Sequence, residues 1–171
     1  QIASVDANTT DYLDSSVSNG TGYAYNVTSV FDENNESDFS NTAEATPMET
    51  VTISLADAEV MSGEEVTVSV ALDNSSVIGG VQIDFVDAPD NLTILSAAGT
   101  GRVPADWSLS VAEQADGSGR LLGFSFSGTV IEAGSGDAFL ITFAASAGEP
   151  TTVTLCTAGE TISDQNGSGY L

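Results

Sequence analysis

Apolar residues in this chain recur at every second position, in short runs closed by Gly, Asn, Asp or Ser. A period of two places alternate side chains on opposite faces of an extended strand, whereas a helix needs apolar residues three and four apart. Val51, Ile53 and Leu55 share one strand face, and Val66, Val68, Val70 and Leu72 share the next. Val81, Ile83 and Phe85 follow, then Leu122, Phe124 and Phe126, then Phe139, Ile141 and Phe143, and finally Val153 and Leu155. Trp107, Leu109 and Val111 make a further strand. Nothing reads as a helix of three turns. Many short strands joined by Gly-rich turns specify an all-β fold of antiparallel β-sandwiches, not a parallel sheet with crossover helices. A hydrophobic content of 41% in 171 residues supports one packed domain or two small ones.

Charge removes whole classes of function. The chain has 25 acidic residues, two arginines (Arg102 and Arg120), no lysine and no histidine, for a net charge of −23. Two arginines cannot line a groove for a phosphate backbone, so nucleic acid is excluded as a partner. Anionic membrane surfaces repel such a chain, and no apolar run is long enough for membrane insertion. Without histidine and with one cysteine, the usual zinc sites and Ser–His–Asp or Cys–His nucleophiles cannot be built. Cys156 lies in TVTLCT at 152–157, with no positive charge beside it, and reads as a small buried apolar residue. No basic segment precedes an apolar stretch, so the expectation is a chain whose signal has been removed or which belongs to a longer precursor.

Asparagine is distributed unevenly. Seven of nine Asn open an Asn-x-Ser/Thr sequon: Asn8, Asn19, Asn26, Asn35, Asn74, Asn91 and Asn166. Chance would place about two of nine there. The excess points to N-glycosylation and an extracellular or cell-surface location.

Pro47 interrupts any ladder and favours an extended linker, which sets a module boundary there. The segment before it carries TDYLD at 10–14, NGTGYAYNVTSV at 19–30, DENNES at 32–37 and SNTAEATP at 40–47. On these motifs residues 1–47 resemble the C-terminal half of a fibronectin type III domain, lacking its first strands. The resemblance implies that Tyr23 is a corner tyrosine whose hydroxyl bonds backwards to the preceding loop. It also implies that Tyr23, Tyr25 and Val27 face inward, with Asn26 and Thr28 outward. A half sandwich leaves an apolar face and open edges, which another copy of the chain could cover by strand complementation.

Residues 48–171 carry VTISL at 51–55, VMSGEEVTVSVALDN at 60–74, IGGVQIDF at 78–85, RLLGFSFSG at 120–128, GDAFLITF at 136–143 and TISDQNG at 161–167. In that order they resemble a cohesin-like domain, a jelly-roll-type sandwich of prokaryotic extracellular and surface proteins. The resemblance implies a binding module, since cellulosomal members bind dockerin modules through one sheet face.

Candidate sites are few. Asp32, Asn34, Glu36 and Asp38 alternate in one loop and offer oxygen ligands for a structural calcium, the single cofactor the sequence suggests. The same residues also suit an ordinary turn. Asp84, Asp87 and Asp90 flank Pro89 and read as solvated charge, and the DQNGSG segment at 164–169 reads as a turn. Trp107, Tyr12 and Tyr170 are the aromatics available to a sugar, with Trp107 better suited to a core. No pair of carboxylates stands out as catalytic, so no enzyme is expected. These features describe a non-catalytic, extracellular structural or adhesive protein, a glycosylated subunit of a surface assembly or filament joined by strand complementation between copies. The alternative is a cohesin-like recognition module that binds a dockerin-like partner or polysaccharide within a larger secreted enzyme.

Overall fold

The computed structural model describes residues 1–19, 21–32, 35–148 and 152–170. Among these there is no helix, and the chain divides into two compact units, Gln1–Glu49 and Thr50–Leu171.

The described residues of the first unit hold four short strands: β1 (Tyr23–Tyr25), β2 (Val30–Asp32), β3 (Asn35–Glu36) and β4 (Ala43–Ala45). β1 pairs antiparallel with β4, and β2 with β3. Tyr23 and Tyr25 share one side of β1, with ring centroids 6.3 Å apart. The Tyr23 hydroxyl accepts the Ser18 N–H at 2.8 Å, five residues back, and the Tyr25 hydroxyl donates to Asp14 at 3.1 Å. None of the described residues of this unit is buried, and Val27 is exposed rather than turned inward.

The described residues of the second unit form a sandwich of eight strands: β5 (Val51–Leu55), β6 (Glu65–Asn74), β7 (Gly80–Ala88), β8 (Leu92–Gly99), β9 (Trp107–Glu113), β10 (Gly119–Ser125), β11 (Gly134–Ala145) and β12 (Thr154–Ser163). They form two antiparallel sheets of four, ordered β5-β6-β11-β8 and β12-β7-β10-β9. The alternation explains the core between them. Val68, Val70, Leu72, Ile94, Phe139, Ile141 and Phe143 point in from the first sheet; Val81, Ile83, Phe85, Trp107, Leu121 and Ile162 point in from the second. Phe85 and Phe143 meet edge to face between the sheets, with centroids 5.8 Å apart.

One turn of chain is fastened by a single cation. The Arg102 guanidinium donates to the carbonyls of Leu72 (2.7 Å), Glu132 (3.0 Å), Gly134 (3.1 Å) and Gly136 (3.3 Å) and to Asn74 Oδ1 (2.7 Å). These carbonyls cluster where β6 meets the start of β11, and a planar five-donor group suits them as no lysine could.

Candidate functional site

The outer surfaces of the two sheets differ in kind. On the β12-β7-β10-β9 sheet the register turns Gln82, Asp84, Val86, Arg120, Leu122, Phe124, Ser108, Ser110 and Cys156 outward. Val86, Leu122 and Phe124 are 39–41% exposed, and Phe126, just past the end of β10, is 87% exposed. Phe124 and Phe126 meet edge to face at 4.9 Å and 75°. Arg120 and Asp84 are the charged residues of this outward row, and they cancel, because Arg120 grips Asp84 with Nε at 2.6 Å and Nη2 at 2.7 Å. Glu160 falls in the bulge of β12, outside that register. On the other sheet the outward rows hold Thr52, Ser54, Thr67, Ser69, Ser96 and Thr142 with Ala71, Ala98, Ala144 and Leu140; Leu95, in the β8 bulge, is exposed, and Glu65, Asp73 and Asp137 are in no ion pair. A face whose paired outward charges cancel and which exposes aromatic rings has, in a chain of charge −23, the composition of an interface core, whereas the other face carries unpaired acids among small and hydroxylated side chains and exposes no aromatic ring.

The alternation of Leu122, Phe124 and Phe126 suggests a core row, and the structure reverses it. Leu121 points inward, fully buried, and its inward neighbours on β10 are Gly119 and Gly123. A Cβ on Gly119 would meet Ile94 Cβ at 2.8 Å, and one on Gly123 would meet Leu109 Cδ2 at 2.9 Å and Val81 Cγ2 at 3.0 Å. The large side chains of neighbouring strands already fill that space. The bulky row of β10 therefore faces out. Cys156 is a second reversal: it is exposed on β12, because Leu155 beside it takes the inward position.

Beyond Ser125 the chain leaves the sheet, and one carboxylate holds it. Asp106 accepts from the hydroxyls of Ser125 (2.7 Å), Thr129 (2.8 and 2.9 Å) and Ser127. The Ser125 hydroxyl in turn accepts the N–H of Ser127 at 3.1 Å and of Thr129 at 3.3 Å. The three hydroxyls hold the Asp106 carboxyl down at about 2, with the Ser127 bond the largest contribution. Trp107 is buried in the core, with its indole N–H on the Thr129 carbonyl at 3.0 Å, so it is no sugar platform.

The remaining candidates are scattered. Asp32, Glu36 and Asp38 are exposed around the β2–β3 hairpin, where the Thr28 hydroxyl donates to Glu36; Asn34 lies outside the described residues. Among the described residues no three Asp, Glu, His or Cys side chains gather to hold a metal ion. Asp87 accepts the N–H of Asn91 and Leu92, and Asp164 those of Asn166 and Ser168, so both fasten turns. Of the sequons, Asn8, Asn19, Asn26, Asn35 and Asn166 are exposed and Asn91 is half-buried. Asn74 is different. It is 1% exposed, and its Nδ2 donates to the carbonyls of Ser76 and Glu132, which leaves a glycan no room in the folded chain. Asn26 is exposed, but its Nδ2 is engaged by Ser40 and Thr42. An open cleft of about 1060 Å³ at one end of the sandwich has a mixed lining that includes Leu55, Met61, Leu92 and Leu155 beside Ser62 and Asn91, with Asp57 and Glu59 exposed on its loop.

No family model and no curated protein matches the sequence. Solved structures do match the fold. The sixth cohesin of scaffoldin B from Acetivibrio cellulolyticus, solved in complex with a dockerin, superposes with a TM-score of 0.58 at 15% identity, covering 71% of this chain and 91% of its own. A type I cohesin–dockerin complex from Clostridium thermocellum gives 0.55 at 16% identity, covering 71% and 92%. A non-cellulosomal cohesin from the archaeon Archaeoglobus fulgidus gives 0.54 at 18%, covering 71% and 83%. The covered share of this chain is about the length of its second unit. At these identities the likeness establishes the cohesin-type β-sandwich.

Proposed function

We propose that residues 48–171 form a non-catalytic, extracellular recognition module that binds a dockerin-like protein partner through the outer face of the β12-β7-β10-β9 sheet. The observation that carries this reading is the composition of that face. Val86, Leu122, Phe124 and Phe126 stand exposed around an ion pair that cancels its own charge, while the opposite face is hydroxylated and acidic. Two of the similar structures are cohesins in complex with dockerins, which names the partner class to try first. A polysaccharide fits less well, because Phe124 and Phe126 are set at 75° and make no flat stacking platform. Catalysis finds no support in the open cleft, whose exposed acids Asp57 and Glu59 have no charged partner.

Calorimetric titration with a panel of purified dockerin modules tests the reading. Saturable one-to-one binding supports it; a panel without heat or saturation at any member contradicts it.

A second reading rests on the first unit, residues 1–47, read as a half fibronectin type III-like module. Its described residues include Leu13, Val27, Val30, Phe31 and Phe39 at 57–85% exposure and no buried residue at all. Such a sheet is suited to cover by strands from elsewhere, and another copy of the chain would make an assembly subunit. Each copy carries −23, so that assembly requires screening by salt, and sedimentation at low and high salt distinguishes it from a dispersed binding module.

A further inference from the structure

We infer that Asp106 is a positioning residue: it holds segment 125–129 so that Phe126 projects as a fixed aromatic anchor, suited to a concave apolar pocket on the partner. This deepens the proposed recognition face and rests on that reading. Past the end of β10, Phe126 stays beside Phe124, their ring centroids 4.9 Å apart, while the hydroxyls of Ser125, Ser127 and Thr129 converge on Asp106. Within the sheet, ladder hydrogen bonds hold Leu122 and Phe124; Phe126 has no ladder partner. The Asp106 carboxylate replaces the ladder by gathering three hydroxyls, and Ser125 Oγ adds the N–H groups of Ser127 and Thr129. Gly128, at φ +78°, permits the reversal that brings Thr129 back to the same carboxylate. The outcome is an apolar side chain 87% exposed on a segment fixed from behind. A ring immobilised before contact loses little entropy on binding, which is what an anchor needs. The ionised acceptor keeps the segment fixed across the whole neutral and mildly acidic range.

The test uses the full chain labelled with 3-fluorophenylalanine, with the residue 126 signal assigned by its loss in F126L. Fluorine relaxation in the wild type is expected to show residue 126 as ordered, and Asp106→Ala to make it mobile, with Asp106→Asn intermediate. β-Cyclodextrin, a neutral concave apolar pocket, is expected to shift the residue 126 signal, with an affinity about threefold or more weaker in Asp106→Ala as the freed ring must be ordered on binding. The S125A/S127A double variant keeps the test open if Asp106→Ala does not fold, and it is expected to act in the same direction. A residue 126 signal already mobile in the wild type, or unmoved by both variants, overturns the inference. Neither measurement uses a dockerin, so failure of the proposed partner class and failure of this inference are separate results.

Discussion

Arg120 on β10 and Asp84 on β7 hold each other by two parallel N–H···O contacts, 2.6 and 2.7 Å, in the middle of the apolar outer face. With side chains 34% and 15% exposed, the pair is shielded enough to matter and wet enough not to demand full desolvation. It also removes the charge of the acid at the centre of that face.

Replacing Arg120 by Gln leaves the Asp84 carboxylate without its counter-ion. The expected cost is about 1–2 kcal/mol of stability, read as a lower urea midpoint at unchanged slope. The double variant R120Q/D84N removes both charges and is expected to recover most of the loss.

Gly123→Ala tests why the bulky row of β10 faces out. Its Cβ would enter the contacts already made by Leu109 and Val81, within 3.0 Å of each. Overpacking of this kind costs roughly 1–3 kcal/mol, and thermal unfolding measures it. Alanine tolerated without loss would mean that the inner side of β10 has room for a side chain.

Acid should loosen the Asp106 segment late. The folded carboxyl titrates at about 2 against 3.8 for the free side chain, because the Ser127, Ser125 and Thr129 hydroxyls stabilise its ionised form. A depressed folded value contributes stability that is complete above the unfolded value and lost as pH falls through the folded one. Asp14, Asp116 and Asp164 are lowered in the same direction, each by bonds from its own turn, led by Ser16, Ser118 and Ser168. Stability measured from pH 5 downward is therefore expected to decline below about pH 4, and Asp106→Asn to lose part of that slope.

Glycan occupancy should follow exposure. Expressed in a glycosylating host, the chain is expected to carry glycans among Asn8, Asn19, Asn35 and Asn166 and none at Asn74, checked by peptide mass spectrometry. Asn74→Ala strips a partner from Arg102 and from the Glu132 carbonyl, and is expected to cost about 1–3 kcal/mol. An occupied Asn74 in folded protein would contradict the packing described.

Residues 51–55, 66–72, 81–85 and 139–143 show how far local pattern reaches. Each alternates without ambiguity, and each puts its apolar row where the alternation says. β10 shows where it fails. Alternation identifies the strand but not which row is inside, and here the inner row is Gly119, Leu121 and Gly123, made small by Ile94, Leu109 and Val81 from other strands. That packing partner is not local, so the pattern misleads. Cys156 misleads in the same way: its apolar character suggests burial, but Leu155 takes the inward position and turns its neighbour outward. The Asp106 cluster was half legible: three hydroxyls alternating opposite two phenylalanines are visible at 124–129, but the carboxylate they share lies about twenty residues away. Arg102 was invisible for the same reason, because its acceptors are mostly backbone carbonyls at 72 and 132–136.

The most direct test of the recognition face compares the two sheets. A dockerin module that binds the wild type is titrated against L122S/F124S on the β12-β7-β10-β9 sheet and against Leu140→Ser on the opposite sheet, with unfolding midpoints measured alongside. All three side chains are about 40% exposed, so stability is expected to change by no more than about 1 kcal/mol in either variant. Affinity is expected to fall about 100-fold in L122S/F124S and to stay unchanged in Leu140→Ser. Equal affinity in L122S/F124S and wild type, with both folded, would contradict the account.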